Sequence, residues 1–288
     1  QYKPVQTWAA KKAAAYFSKK LKTEVGIKSL YVQPFSSIVL EGLYVLDKQK
    51  DTLLSTPKLG VDLDNFSLFS SIKNKTIDFK VIQIDNGSAY LKKQKDSLSN
   101  LQFIIDAFSG QKDTVKSKPW HVEFEKVALN NFHFRFKNML VDTVIKGINF
   151  DDLDVKNLSM VVKDMDLINH LFKGNVSNLT LKEKSGFYLK KFNADATIDT
   201  NQILAQNLLV ITNRSLLKNY FRMKFKSFAD LSDHIEDQVY MDGDFKQSRI
   251  NSADIAYFTD GLEYVTFNLG LDGRIRGYVN NLKAKNLT

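Results

Sequence analysis

The stretch that decides the fold is residues 24–64, EVGIKSLYVQPFSSIVLEGLYVLDKQKDTLLSTPKLGVDLD. Three short runs of alternating apolar and polar residues occur in it, separated by turn-forming residues. The apolar positions are Ile27, Leu30, Val32, Ile38, Leu40, Leu43, Val45, Leu59, Val61 and Leu63. A period of two predicts strands that are buried on one face and wetted on the other. The chain is therefore predicted to begin as a sheet rather than as a helical bundle.

Similar runs recur along the rest of the chain. In VIQIDNG (81–87) and VALNN (127–131), an alternating run meets an asparagine-containing turn or kink, and a second alternating run follows. The most regular run is FHFRFK (132–137), where phenylalanines alternate with basic residues. Further strand and turn signals lie at 179–189, 192–198, 203–211, 239–245 and 265–271. Together these patterns predict a long antiparallel array of strands.

A basic segment precedes the first strand. Residues 1–22 contain six lysines and no acidic residue, and apolar residues recur there at helical spacing. This pattern predicts an amphipathic helix, which can either cover the open end of the sheet or lie on anionic lipid. We favour the covering role, because an open sheet end invites aggregation. The residues expected to make the contact are Trp8, Tyr16, Phe17, Lys11, Lys12 and Lys19.

Short helices are predicted to interrupt the strands. One spans Leu101 to Phe108, begins after Ser99 or Asn100, and ends at Gly110. A second spans residues 253–258 with Ser252 as its N-cap, and a third lies within residues 227–237. The expected fold is thus mainly β with an N-terminal helix and short helical insertions.

The order and spacing of these stretches resemble a known family. A helix leads into VGIKSLYV, and PFSSIVLEGLYVLD and DTLLSTPKLGVDL follow; residues 82–108, 118–138, 147–159 and 179–202 extend the likeness. This order is similar to the AsmA-like superfamily, and closest to its TamB-type translocation and assembly proteins in their Bacteroidetes-like form. The resemblance implies a helix over residues 1–23 and an elongated, curled antiparallel β-groove over residues 24–288, whose apolar interior holds lipid acyl chains.

Eight apolar residues are the expected lining of that groove. They are Ile38, Leu40, Val122, Phe124, Leu129, Phe132, Phe134 and Phe136. Between the phenylalanines, Arg135 is expected on the opposite face of the sheet.

The resemblance also implies a function. It predicts a periplasmic segment, anchored to the inner membrane upstream of Gln1, that binds phospholipid and conducts it between the two membranes for outer-membrane biogenesis. The chain begins with Gln rather than Met, so we expect it to be a piece of a longer protein. An alternative is protein translocation and assembly by β-augmentation with an Omp85-type barrel partner. A third possibility is a closed structural base that holds the anchor.

The sequence offers little for catalysis. Cysteine is absent, the four histidines are scattered, and no phosphate-binding loop, dinucleotide fingerprint, nucleophile elbow or HExxH motif occurs. The cluster of Asp151, Asp152 and Asp154 lacks the spacing of a calcium loop and is interpreted as a solvated turn. We therefore expect a protein that is not an enzyme and has no metal or cofactor.

The net charge of +9 favours an anionic partner. Nucleic acid is disfavoured, because alternation places the phenylalanines and the basic residues on opposite faces, whereas nucleic-acid binding needs both on one surface. Phospholipid is the partner that the resemblance to the AsmA-like superfamily implies.

Overall fold

Runs of alternating apolar and polar residues form strands along most of the described chain. Strands make up 62% of the residues and helices 13%, which confirms the prediction of a mainly β protein. The computed structural model describes residues 3–33, 37–63, 76–94, 99–109, 121–141, 146–167, 170–233, 235–259 and 264–285. The described helices are α1 (Lys3–Leu21), α2 (Gln102–Ser109), α3 (Asp230–Asp233) and α4 (Ser252–Ile255). The strands are β1 (Val25–Gly26), β2 (Ser29–Gln33), β3 (Ser37–Leu46), β4 (Thr52–Leu63), β5 (Thr76–Asp85), β6 (Ser88–Lys93), β7 (His121–Asn138), β8 (Asp152–Asp166), β9 (Phe172–Glu183), β10 (Tyr188–Asp199), β11 (Gln202–Ile211), β12 (Leu216–Lys224), β13 (Tyr240–Asn251), β14 (Asn268–Tyr278) and β15 (Asn281–Lys285).

The described strands form one mixed sheet of 15 strands. The order is β1-β3-β4-β5-β7-β8-β9-β10-β11-β12-β13-β14-β15, with β2 beside β3, and β6 beside both β4 and β7. The predicted antiparallel array is wrong at one place, because β7 runs parallel to β5 and β6. Parallel neighbours need a long crossover connection, and the chain between Lys93 and His121, which contains α2, provides it.

The chain divides into two compact units. Unit 1 comprises Gln1–Ile145 and Asn149–Ser159, and unit 2 comprises Lys146–Ile148 and Met160–Thr288. The expected boundary after residue 23 falls inside unit 1, where α1 contacts β1, β2 and α2.

The core of unit 1 lies where the helices meet the sheet. Its buried residues are Leu21, Val25, Val45 and Leu53, and Phe103, Ile104 and Ala107 of α2 pack against them. The end of α1 is fixed by Lys48, whose Nζ donates to the carbonyl oxygens of Leu21 at 2.6 Å and of Lys22 at 2.9 Å. These carbonyls would otherwise be unpaired at the helix terminus, where a cation is also favoured by the helix dipole.

The short helices lie near the predicted positions, but their ends differ, and α4 spans Ser252–Ile255 rather than residues 253–258. Helix α2 is confirmed, and Ser99 Oγ accepts from the Leu101 backbone N–H at 3.1 Å. The N-cap of α4 is Asn251 rather than Ser252, because its side chain reaches the Ala253 N–H at 3.0 Å. Helix α3 is shorter than the predicted 227–237 region. Gly110, the predicted end of α2, lies outside the described residues.

Unit 2 is built from successive antiparallel strand pairs, from β9 to β15. Its central cluster consists of Ala194, Ala205 and Leu208, with Phe192 and Phe221 packed against it. The small residues let the larger rings of neighbouring strands lie over them.

Candidate functional site

Asparagines with positive φ lie within the long strands and between β5 and β6. They are Asn86 (φ 55°), Asn131 (51°), Asn157 (52°), Asn178 (54°), Asn207 (50°) and Asn219 (97°). Asparagine is among the residues that tolerate this left-handed conformation best. The predicted kinks at 81–87 and 127–131 are therefore present, but neither is a turn. β7 continues through its kink, and β5 and β6 pair with β7 at one constant offset, so they are two halves of one kinked strand.

The kinks change which alternate positions face each side of the sheet. Before Asn131, the side chains of Val127 and Leu129 lie on one face of the sheet. After Asn131, the phenylalanines lie on that same face. The position of Gly87 demonstrates this, because a Cβ placed there would lie 2.7 Å from Ile84 Cγ2 and 2.8 Å from Phe132 Cε2. Ile84 pairs with Leu129, so these side chains share one face. A strand whose apolar alternation changes phase therefore still has one continuous apolar face.

We call this surface the unit 1 apolar face. At one end of the strands, two cross-strand rows of aliphatic side chains run from β2 through β3, β4 and β5 to β7. One row is Val32, Ile38, Val61, Ile82 and Val127, and the other is Leu30, Leu40, Leu59, Ile84 and Leu129. Val32 is 37% exposed, and the other nine side chains are only half-buried. Ten apolar side chains thus remain partly accessible on one surface.

The other end of this face is more closed. Ala89 pairs with Phe134, and Leu91 with Phe136, on the far side of the kink. Leu91 packs against the core cluster that includes α2, and Phe132 is 6% exposed. The face therefore passes from a covered end to an accessible one.

Seven of the eight predicted groove residues lie on this face. They are Ile38, Leu40, Phe124, Leu129, Phe132, Phe134 and Phe136. Phe124 belongs to it although its position alternates with Val127 and Leu129, because Leu63, two residues after Val61 in β4, pairs with Phe79, which pairs with Phe124, and the register of β4 and β5 shifts between Asp62 and Leu63. The Phe124 ring stacks on Phe79, with ring centres 5.5 Å apart. The side chain of Val122 lies outside the described residues.

The predicted contact residues of α1 do not cover the sheet. Trp8 is 61% exposed, Tyr16 59% and Phe17 36%, whereas Ala10 and Leu21 are the buried residues of the helix. The expected cover by aromatic side chains is therefore wrong, because the helix packs through another side. The predicted lysines Lys11, Lys12 and Lys19 are also exposed. Trp8, Lys12, Tyr16 and Lys19 are three or four residues apart and form one exposed stripe.

The opposite, polar face of unit 1 is occupied by paired charges. His133 Nε2 lies 2.7 Å from Asp154 Oδ1, and Lys137 Nζ lies 3.2 Å from Asp152 Oδ2. The aspartate cluster is therefore not a free turn, because two of its members belong to β8 and pair with β7. Arg135 stacks over Tyr90 at 4.3 Å. Tyr90 and Arg135 thus share the polar face. The phenylalanines lie on the opposite face, as predicted.

Unit 2 repeats the division into two faces. Its apolar face carries residues from β9 to β13, most of them half-buried. They are Phe172, Val176, Leu179, Phe192, Ala194, Ala196, Ile198, Ile203, Ala205, Leu208, Val210, Phe221, Met223 and Met241. On its polar face, Asp195 accepts from the amides of Asn175 at 2.7 Å and Asn207 at 2.6 Å. These two hydrogen bonds lower the pKa of Asp195, because they stabilise the ionised carboxylate.

Within the described ranges, no group of three or more His, Asp or Glu side chains is placed to hold a metal ion. The described helices also include none with the length and apolar character needed to cross a membrane.

The asparagine kinks yield a stability prediction. In Asn131→Val, a β-branched residue must adopt a left-handed conformation, and the amide hydrogen bonds to Asn86 and Asn157 are lost. We expect the free energy of unfolding to fall by about 1–3 kcal/mol. Asn131→Gly, which adopts this conformation freely, is the control and should lose less. Urea melts measure both, and equal stability of the two variants would show that the kink carries no strain.

Comparison with known proteins does not assign the chain to a family. No family model matches the sequence, and no similar curated protein was found. The likeness to the AsmA-like superfamily therefore stays a prediction from the sequence.

Proposed function

We propose that the unit 1 apolar face binds phospholipid acyl chains. On this proposal the chain is a non-enzymatic, periplasmic segment of an inner-membrane-anchored, TamB/AsmA-like protein, and it conducts lipid between the inner and outer membranes. The observation that carries the proposal is the pair of half-buried aliphatic rows, Val32 to Val127 and Leu30 to Leu129. An acyl chain can cover such a surface, because it makes apolar contacts and has no groups that need hydrogen bonds.

The dimensions support an acyl chain. Each row crosses five neighbouring strands, and strands lie about 4.8 Å apart, so a row is about 19 Å long. One leaflet of a bilayer contributes about half of the roughly 30 Å hydrocarbon thickness, so a row matches the length of a lipid tail. Each methylene removed from water contributes about 0.8 kcal/mol, and ten of them about 8 kcal/mol. Contact along a single row therefore contributes up to about 8 kcal/mol, against which the entropy cost of binding is set.

Helix α1 supports a membrane contact. Its exposed stripe combines Trp8 and Tyr16 with Lys12 and Lys19, and such rings favour the membrane interface. Each lysine near an anionic surface contributes about 1 kcal/mol. The stripe would bring unit 1 to the lipid that it takes up.

This contact can be tested without disturbing the core. We expect Trp8→Ser combined with Tyr16→Ser to weaken binding to vesicles of phosphatidylcholine and phosphatidylglycerol by at least tenfold. The melting temperature should not change, because both rings are mostly exposed. Vesicle flotation and circular dichroism melts measure the two properties. A lower melting temperature with unchanged flotation would assign the rings to packing instead.

The lipid proposal itself is tested by native mass spectrometry of the protein purified without detergent. We expect a bound species with the mass of a phospholipid, and its loss on mild collisional activation. Absence of any lipid adduct, together with crosslinks from strand edges to a barrel protein in cells, would favour the assembly role instead.

A further inference from the structure

Three arginines converge on one buried carboxylate in unit 2. The Asp242 side chain is 3% exposed. Its Oδ1 accepts from Arg276 Nε at 2.9 Å and Arg274 Nε at 3.2 Å, and its Oδ2 accepts from Arg222 Nη2 at 3.1 Å. One negative charge cannot balance three guanidinium groups, so this part of the polar face keeps an excess of positive charge.

The strand register places further cationic side chains beside these arginines, in rows that cross the strands. Arg222, Asp242, Arg276 and Lys283 lie side by side on β12, β13, β14 and β15, and Tyr220, Asp244, Arg274 and Lys285 form the next row. Lys224 begins a third row that continues through Tyr240 and Tyr278. The three rows together hold six cationic side chains against two carboxylates. We call the four cations Arg274, Arg276, Lys283 and Lys285 the basic cluster.

Asp242 orients the arginines without exhausting their donors. Arg276 uses only its Nε in the hydrogen bonds to Asp242, and its side chain is 46% exposed. Arg274 is 47% exposed. Their remaining N–H groups are available to an acceptor from solution, and the guanidinium planes are held in place beforehand. Such preorganisation lowers the entropy cost of binding an anion.

A pocket of about 430 Å³ lies over this cluster. All four cations line it, and Tyr240 and Tyr278 form one wall with their rings edge to face at 5.5 Å. We propose that this pocket binds a phosphate group, as a soluble phosphate ester or a lipid head group. The pocket lies on the polar face of unit 2, whereas acyl chains are proposed to bind unit 1, so this proposal goes beyond acyl-chain binding.

The arrangement suits phosphate better than a carboxylate. Arg274 gives Asp242 its Nη2 as well as its Nε, the former to Oδ2 at 3.4 Å. A phosphate presents three or four acceptor oxygens, so the remaining N–H groups of the two arginines and the two lysines can bind it simultaneously. A carboxylate ligand has only two oxygens, and the arginines already have a carboxylate partner in Asp242. The tyrosine hydroxyls add neutral donors at the wall.

The test uses pyrophosphate as the soluble probe and vesicles containing phosphatidylglycerol as the lipid probe. We expect Arg276→Gln combined with Lys283→Gln to weaken binding of pyrophosphate, of the vesicles, or of both by at least tenfold. The matched control is Arg249→Gln combined with Lys246→Gln, which removes the same charge from exposed positions of β13. Calorimetry and flotation measure binding, and circular dichroism melts confirm that all variants fold.

The two probes separate the sources of phosphate. Loss confined to pyrophosphate assigns the site to soluble esters, and loss confined to vesicles assigns it to head groups. Equal losses in the test and control variants, or no binding of either probe by the parent protein, would overturn the proposal. Tighter binding of single-stranded RNA than of both probes, with the same dependence on Arg276 and Lys283, would replace it with a nucleic-acid site.

Discussion

Ile82→Glu is expected to reduce phospholipid binding at least tenfold while the protein stays folded. Ile82 lies inside one aliphatic row, between Val61 and Val127. A carboxylate there must stay hydrated, and an acyl chain crossing the row would have to displace that water. A tenfold loss corresponds to about 1.4 kcal/mol, less than the contribution of two buried methylenes.

The cost to folding should be modest. The side chain is half-buried, so the new carboxylate keeps contact with water, and we expect about 1–2 kcal/mol of destabilisation. A domain with about 5–15 kcal/mol of stability tolerates that loss. Gln83→Glu is the matched control, because it adds the same charge to the next position on the opposite, exposed face. Unfolding of Ile82→Glu would mean that the face is a closed core, and equal lipid losses in both variants would remove the row from the site.

Asp254→Ala is expected to destabilise unit 2 by about 3 kcal/mol. Asp254 is 5% exposed, and its Oδ2 accepts from the Thr212 hydroxyl, the Arg214 N–H at 2.9 Å and the Ser215 N–H at 2.7 Å. These bonds tie α4 to the turn between β11 and β12. Removing the acceptor leaves buried donors unpaired, at about 1–3 kcal/mol each, and water entering the cavity offsets part of that cost. Urea unfolding measures the effect, and Asp237→Ala, at an exposed position, is the control. A loss no larger than that of the control would show that the turn holds α4 by other means.

The same carboxylate predicts a pH dependence. Burial opposes ionisation of Asp254, but the hydrogen bonds from Thr212, Arg214 and Ser215 outweigh it and lower the pKa. A lowered folded-state pKa gives stability that is fully present above the ordinary pKa of an aspartate and is lost as the pH falls through the folded value. The parent should therefore lose more stability on acidification than Asp254→Ala. Parallel acid-melt curves for the two proteins would contradict this.

The sheet could be predicted from sequence because period-two alternation directly encodes a half-buried strand. Its phase changes were visible too: the apolar positions move from 127 and 129 to 132, 134 and 136 across a pair of asparagines. That shift correctly indicated a kink. A second phase change, from Phe124 to Val127, accompanies the register shift between Asp62 and Leu63, which leaves Phe124 on the same face.

Other features could not be obtained from the sequence. Alternation is the same in parallel and antiparallel strands, so the direction of β7 depends on the crossover through α2 rather than on its own residues. Apolar residues occur around much of α1, so spacing alone did not decide which side packs. The convergence on Asp242 needs the register of β12, β13 and β14, which brings together positions 222, 242, 274 and 276 from distant parts of the chain.

The most direct test of lipid binding is photo-crosslinking from the two faces of unit 1. A benzoylphenylalanine is placed at Leu40, Ile82 or Leu129 on the apolar face, and at Gln83 on the polar face, and each protein is irradiated with labelled phospholipid. We predict adducts from the three apolar positions and none from Gln83. Adducts from Gln83 as strong as those from Ile82, or no adduct from any apolar position in the folded protein, would contradict binding of acyl chains to this face.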